Sequence, residues 1–114
     1  MNRWNIPLAL EVLVSARDQK CIYCQRPFIG QEGPRGQRKS WEHIINDENL
    51  VNQQNIALCC ISCNASKGAK LLSVWLQSKY CLRRGITSES ISEVARAALR
   101  AEVTASVPVA VGVS

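Results

Sequence analysis

The sequence contains no apolar run long enough to cross a membrane, and the short apolar patch near its N-terminus is interrupted by Glu11. It also lacks the long apolar core and the small-residue cleavage site of a secretory signal peptide. These absences favour a cytoplasmic protein with no membrane partner. In a reducing compartment, six cysteines indicate metal ligands rather than a disulfide framework.

Acidic residues are absent between Glu48 and Glu89, and the chain as a whole carries a formal net charge of +5. A basic surface of this kind suits a polyanion such as DNA, although the same charges could simply lie in solvent. From Val103 onward the chain has no charged residue and is rich in small side chains. We interpret residues 103–114 as a disordered tail.

A length of 114 residues predicts a single domain, which we assign to residues 1–102. Apolar residues at helical spacing predict three flanking helices around a core at residues 21–70. These helices cover about residues 6–18, 70–84 and 88–102.

Local signals mark where several elements begin and end. Gly68 and Gly85 stand where helices are expected to stop. Ser90 and Glu93 resemble a capping box that opens the last helix. The segments "SWEHII" and "NIALCC" read as two short strands, and a short helix follows the second. The sequence therefore predicts a small α+β fold.

The cysteines form two C-x-x-C pairs separated by a long arm. Each pair fits a tight turn that directs two thiolates at one tetrahedral Zn²⁺, so we predict a four-cysteine structural zinc site. Its ligands are Cys21, Cys24, Cys60 and Cys63. Cys59 could replace Cys60, but its spacing to Cys63 is poorer, and we expect it to be a buried strand residue. Cys81 lies on a helix and is expected to pack in the core.

Polar residues that could hydrolyse a phosphodiester lie on and just after this arm. The reaction needs a base that activates water and a cation that neutralises charge on the phosphate. His43 is the only histidine, and histidine is the side chain that ordinarily titrates near neutral pH. Glu42 and Asn64 offer hard oxygen atoms, which suit Mg²⁺ or Mn²⁺.

The pattern "EHI…NIALCCISCNASKG" resembles the HNH endonucleases, which share the ββα-metal fold. The resemblance covers roughly residues 21–70. It implies that His43 is the general base and that Glu42 and Asn64 hold one catalytic divalent metal. It also implies that Asn55 braces the loop between the strands and helps to orient His43. Products of this family carry 5′-phosphate and 3′-hydroxyl ends.

The sequence departs from the name-giving motif because Asn64 stands in place of its last histidine. The resemblance thus implies a variant in which no histidine binds the catalytic metal. Asp47 is close enough in sequence to serve as a substitute ligand. In addition, neighbouring residues on a regular strand point to opposite faces, so Glu42 and His43 can share a site only if the strand ends, twists or bulges there.

Several basic residues are candidate contacts to DNA phosphates. Lys67 and Lys70 flank the predicted site, and the others lie on a Gly-rich loop that we expect to be mobile. The loop residues are Arg35, Arg38 and Lys39.

Two other functions compete with a nuclease. A zinc-ribbon DNA-binding module would keep the cysteines and the basic face but would have no use for Glu42, His43 and Asn64. An interaction protein could instead use its last helix and tail to bind another chain. Even a nuclease of this size has little surface for reading bases, so a homodimer or a partner protein could supply specificity.

Overall fold

The computed structural model describes residues 6–30 and 32–106, and it has the predicted small α+β architecture. Five α-helices, one 3₁₀ turn and two strands follow one another in that part of the chain. Their bounds are α1 Leu8–Arg17, the 3₁₀ turn Arg35–Gln37, β1 Lys39–His43, β2 Ile56–Cys60, α2 Ile61–Lys67, α3 Leu72–Trp75, α4 Lys79–Arg84 and α5 Glu93–Ser106. No helix in the described ranges is long and apolar enough to span a bilayer.

The two strands form an antiparallel ribbon in which Trp41 pairs with Leu58 and Glu42 pairs with Ala57. Because side chains alternate along a strand, Trp41 and Leu58 share one face, and Glu42 and Ala57 share the other. All five residues of β2 are buried, since helices cover both faces of the ribbon. A two-stranded ribbon is marginal by itself, so it depends on these helices.

Helix α1 covers the Trp41 face. Val14 is its one fully buried residue, and it packs with Ile6, Ile56 and Leu58. Leu8, Val12 and Leu13 belong to the apolar pattern that predicts the helix, yet they are more than half exposed. A ribbon of two strands is too narrow to bury more than one stripe of a helix.

The last residue of α1 and the residues that follow this helix cover the outer edge of β2. The Asp18 carboxylate accepts a hydrogen bond from the Leu58 N–H at 3.1 Å, and the Ile22 N–H donates to the Leu58 carbonyl at 3.3 Å. Arg17 donates to the Ile56 carbonyl at 2.8 Å and also pairs with Asp18. These bonds satisfy backbone groups that an open strand edge would leave unpaired.

The prediction of one continuous helix at residues 70–84 is wrong, because the structure has two helices there, α3 and α4. Ser78 has an extended backbone, and its hydroxyl accepts a hydrogen bond from the Cys81 N–H at 3.3 Å. Serine competes with the helix for backbone hydrogen bonds and therefore opens a new helix here. Gly85 ends α4 in the left-handed conformation with φ of 67°, as predicted.

The last helix differs from its prediction at both ends. It begins at Glu93 rather than near 88, and Ser90 does not form the predicted capping box, because its hydroxyl accepts from the Thr87 N–H in a turn. It continues to Ser106, so residues 103–106 of the predicted tail are helical, and residues 107–114 lie outside the described part. The Glu102 carboxylate accepts hydrogen bonds from the N–H groups of Leu72 and Ser73, which fastens α5 to the start of α3.

Candidate functional site

The four predicted cysteine ligands converge in the structure. The sulfur atoms of Cys21, Cys24, Cys60 and Cys63 all lie within 4.8 Å of one another. Those of Cys24 and Cys60 are 3.9 Å apart. A tetrahedral Zn²⁺ with Zn–S bonds of about 2.3 Å separates its sulfur ligands by about 3.8 Å. The cluster therefore has the size that a metal ion such as zinc requires.

Backbone N–H groups turn toward the sulfur atoms in both C-x-x-C turns. The N–H groups of Tyr23 and Cys24 donate to the Cys21 sulfur at 3.4 and 3.5 Å, and the Cys63 N–H donates to the Cys60 sulfur at 3.4 Å. Hydrogen bonds among the four sulfur atoms lower the pKa of the Cys24 and Cys60 thiols and raise the pKa of the Cys21 and Cys63 thiols. The backbone N–H donors favour the thiolate, which is the form that binds a metal.

Two residues outside the pairs also contact the sulfur atoms. Arg26 donates through Nε to the Cys24 sulfur at 3.5 Å, and its guanidinium approaches the Cys60 sulfur at 3.9 Å. The Tyr80 hydroxyl donates to the Cys63 sulfur at 3.3 Å. Sequence reasoning missed both residues, although Arg26 stands only two positions after Cys24. A guanidinium beside the cluster offsets part of the charge of four thiolates.

The remaining cysteines are excluded from the cluster, as predicted. Cys59 is fully buried on the opposite face of β2 from Cys60, and its sulfur lies 3.8 Å from the Ser40 hydroxyl. Burial raises the pKa of Cys59 well above its ordinary value. Cys81 is fully buried in the core, where burial also raises its pKa. Neither thiol is placed to bind the same ion.

Glu42 lies in the interior, on the α2 face of β1. Its Oε2 accepts a hydrogen bond from the Tyr23 hydroxyl at 2.7 Å and lies 3.1 Å from the Lys67 ammonium. Burial raises the pKa of Glu42, and the Lys67 charge and the Tyr23 hydroxyl oppose that rise. The predicted metal ligand thus already has two partners on one of its oxygen atoms.

The prediction that Lys67 contacts DNA phosphates is wrong. Its side chain is fully buried, and its ammonium donates to the Ile44 carbonyl at 2.8 Å as well as pairing with Glu42. Lys67 stands four residues after Cys63, so both lie on the buried face of α2. The four-residue spacing from Cys63 was the sequence signal that Lys67 is buried. We did not use it, because lysine is rarely buried in proteins.

Asn64 binds the first strand through its side-chain amide. Its Nδ2 donates to the Ser40 hydroxyl and to the Trp41 carbonyl, each at 3.0 Å. The hydrogen bonds that Glu42 and Asn64 make within the described residues use Oε2 of Glu42 and Nδ2 of Asn64. The structure therefore brings the two predicted residues to adjacent parts of β1, and Oε1 of Glu42 and Oδ1 of Asn64 take no part in these contacts.

His43 is the last residue of β1 and pairs with Ile56 in regular register. The alternation of side chains places it on the Trp41 face, opposite Glu42. Its Nε2 atom is screened from solvent. The strand ends at His43, which is one of the conditions under which Glu42 and His43 could share a site.

Asn55 lies at the other end of the loop that joins the strands, and it is buried. Its Oδ1 accepts from the Ile45 N–H at 2.7 Å, and its Nδ2 donates to the carbonyls of Ile45 and Leu50 at 3.1 Å. Three part-buried hydrogen bonds therefore hold the chain directly after His43. Asp47, in the same loop, is exposed and accepts from the Asn49 N–H.

We expect Asn55→Ala to lower the free energy of unfolding by about 1–3 kcal/mol, because it leaves partly buried backbone groups of Ile45 and Leu50 without partners. Urea unfolding of zinc-loaded protein measures the effect. Asn46→Ala is the matched control, since Asn46 is exposed in the same loop and should change stability by less than about 0.5 kcal/mol. Equal effects of the two variants would contradict the role given to Asn55.

The other basic side chains that we predicted to contact DNA differ in how exposed they are. Arg35, Lys39 and Lys70 are exposed. Arg38 is partly buried, and its guanidinium donates twice to the Gly33 carbonyl, at 2.8 and 3.1 Å. Within the Gly-rich loop, residues 35–37 form a 3₁₀ turn, and Arg38 fastens it to Gly33.

Comparison with known proteins gives no family for this chain. No protein-family model matches the sequence, and no curated protein matches it significantly.

Proposed function

We propose that this chain is a metal-dependent HNH endonuclease, of the variant with asparagine in the last motif position, which hydrolyses DNA phosphodiester bonds. The observation that carries the proposal is the Asn64 amide on the Trp41 carbonyl, which holds a second oxygen donor next to Glu42. Two antiparallel strands followed directly by α2, and joined to a four-cysteine cluster, support a ββα-metal core.

Each residue of the proposed site has one task. Glu42 and Asn64 would hold one Mg²⁺ or Mn²⁺ through hard oxygen atoms. When bound, that cation would supply charge stabilisation to the scissile phosphate and to the 3′ leaving oxygen. His43 accepts a proton from the attacking water, and Asn55 holds the loop that follows it. The products would carry 5′-phosphate and 3′-hydroxyl ends, as in the HNH family.

Zinc has a separate task in this proposal. Cys63 and Asn64 are consecutive residues of α2, and the Cys60 sulfur caps the first turn of that helix. An ion held by the four thiolates therefore fixes the helix that presents Asn64. Structural zinc sites contribute directly to folding free energy. The zinc would thus position a ligand of the catalytic metal without touching the substrate.

The end of β1 is where the phosphate would bind. Glu42 and His43 occupy opposite faces of the strand, so a phosphate reached by both must lie across the end that His43 forms. Asp47 is a second candidate ligand, because its exposed carboxylate lies in the loop that leaves this end. Arg35, Lys39 and Lys70 supply exposed positive charge for the flanking DNA backbone.

One observation favours the rival zinc-ribbon module without catalysis. The carboxylate of Glu42 is buried and paired with Lys67, as a structural carboxylate would be. Such a module would bind DNA through the exposed cations alone. A homodimer or a partner protein that supplies sequence specificity is a further proposal with either function.

Cleavage of supercoiled plasmid DNA by zinc-loaded protein tests the proposal. We expect nicking or linearisation that depends on Mg²⁺ or Mn²⁺, and we expect His43→Ala to reduce the rate by roughly 10²–10⁴-fold because it removes the base. The two proteins must first be matched in zinc content and melting temperature. If both bind the plasmid and neither cuts it with any divalent metal, the zinc-ribbon module is the better account.

A further inference from the structure

The Glu42–Asn64 pair has no net charge together with its neighbour Lys67. Glu42 is the one charged member of the pair, and the Lys67 ammonium lies 3.1 Å from its carboxylate. Asn64 contributes a neutral amide oxygen. The negative charge that normally attracts a divalent cation is therefore already balanced within the protein.

Burial and two polar contacts hold the Lys67 ammonium beside Glu42. Its ammonium is fully buried, and it donates to the Ile44 carbonyl at 2.8 Å in addition to Glu42. Tyr23, whose hydroxyl donates to the same Oε2 atom at 2.7 Å, holds the carboxylate from a second direction. The positive charge beside the donor pair is consequently a fixed part of the fold.

We infer that Lys67 keeps the Glu42–Asn64 pair electrically neutral, so that the pair takes up a divalent cation only together with a phosphate anion of the substrate. The inference rests on the proposed function of this pair. Oε1 of Glu42 and Oδ1 of Asn64 are two donors, and Mg²⁺ and Mn²⁺ complete their shells with water and substrate phosphates. The phosphodiester supplies the negative charge that the site lacks.

Electrostatics sets the direction of the effect of Lys67 on cation binding. A dication held by Oε1 would lie a few ångströms from the Lys67 ammonium, and that repulsion opposes its binding to the free protein. A phosphate oxygen on the cation contributes attraction of the opposite sign. Reciprocity requires that the cation strengthen DNA binding by the same factor by which DNA strengthens cation binding.

Binding of Mn²⁺, followed by the electron paramagnetic resonance signal of the free ion, tests the inference. We would use zinc-loaded His43→Ala protein to prevent cleavage, with and without a short DNA duplex. We expect the duplex to tighten Mn²⁺ binding at least about tenfold. In DNA-free protein at pH 8, Lys67→Met should also tighten Mn²⁺ binding on the order of tenfold, since it removes the repulsion.

Lys70→Met is the matched control for Lys67→Met. Lys70 is exposed just after α2, so its removal should weaken DNA binding and leave the Mn²⁺ affinity of the free protein unchanged. If Lys67→Met does not fold, the comparison of His43→Ala protein with and without DNA, corrected for the Mn²⁺ that the duplex binds alone, still overturns the inference when the two affinities are equal.

Equal Mn²⁺ affinity with and without DNA would overturn the inference. If the protein with His43 intact still cuts plasmid in that case, the proposed nuclease function survives and only the role of Lys67 is withdrawn. If Mn²⁺ binds under neither condition and no cleavage occurs, the proposed function fails together with the inference.

Discussion

Replacing Cys63 by serine is expected to abolish zinc binding and to unfold the domain at room temperature. The four sulfur atoms form a closed cluster, and the loss of one thiolate leaves a hydroxyl that binds zinc far less well. Structural zinc contributes about 10–16 kcal/mol of apparent binding free energy, whereas a whole domain is stable by about 5–15 kcal/mol. The loss therefore exceeds what the rest of this small core can supply.

Metal content from mass spectrometry and the far-UV circular dichroism melting curve measure this result. Cys81→Ala is the matched control, because Cys81 is also fully buried but lies outside the cluster. It should keep its zinc and lose only about 1–2 kcal/mol of stability. A zinc-free Cys63→Ser protein with an unchanged cooperative melting transition would contradict the structural role of the cluster.

The cluster is the feature that the sequence predicts best, and the reason is physical. A tight turn and tetrahedral sulfur coordination both constrain spacing along the chain, so two C-x-x-C pairs carry geometric information without any knowledge of the fold. Gly68 and Gly85 are of the same kind, since a helix end with positive φ favours glycine locally. Local rules of this sort do not depend on what packs against the element.

Features that depend on packing were predicted less well. Ser78 divides a segment whose apolar pattern reads as one helix, because a hydroxyl can cap a new helix wherever the core lets the chain turn. Ser90 matches the pattern of a capping box, but Thr87 offers it a nearer backbone N–H group. The sequence pattern alone does not decide which backbone N–H group a serine hydroxyl binds.

The proposed polar site shows most clearly how far a sequence motif can predict the surroundings of a side chain. The order of Glu42, His43 and Asn64 in the sequence suggests that the three side chains form one site. The regular strand β1, however, places Glu42 and His43 on opposite faces of the sheet. The same geometry makes Glu42 available to Tyr23 and Lys67, which a motif of acid, base and amide does not contain. The environment of a side chain depends on residues that are distant in the sequence.

Breaking the ion pair between Glu42 and Lys67 from one side is expected to cost about 3–5 kcal/mol of unfolding free energy. Lys67→Met leaves a buried carboxylate with only the Tyr23 hydroxyl, and Glu42→Met leaves a buried ammonium with only the Ile44 carbonyl. An isolated charge in the interior loses hydration that nothing else replaces. Urea unfolding of the zinc-loaded proteins gives the two differences.

The double variant Glu42→Met/Lys67→Met is expected to be less destabilised than the sum of its parts by about 2 kcal/mol or more, because two apolar side chains can replace a buried ion pair at little net cost. Lys70→Met, which removes an exposed lysine close to the same helix, should change stability by less than about 0.5 kcal/mol. Additive effects in the cycle would mean that the two charges do not depend on each other. Strong coupling would mean that the charged forms of Glu42 and Lys67 depend on each other inside the fold.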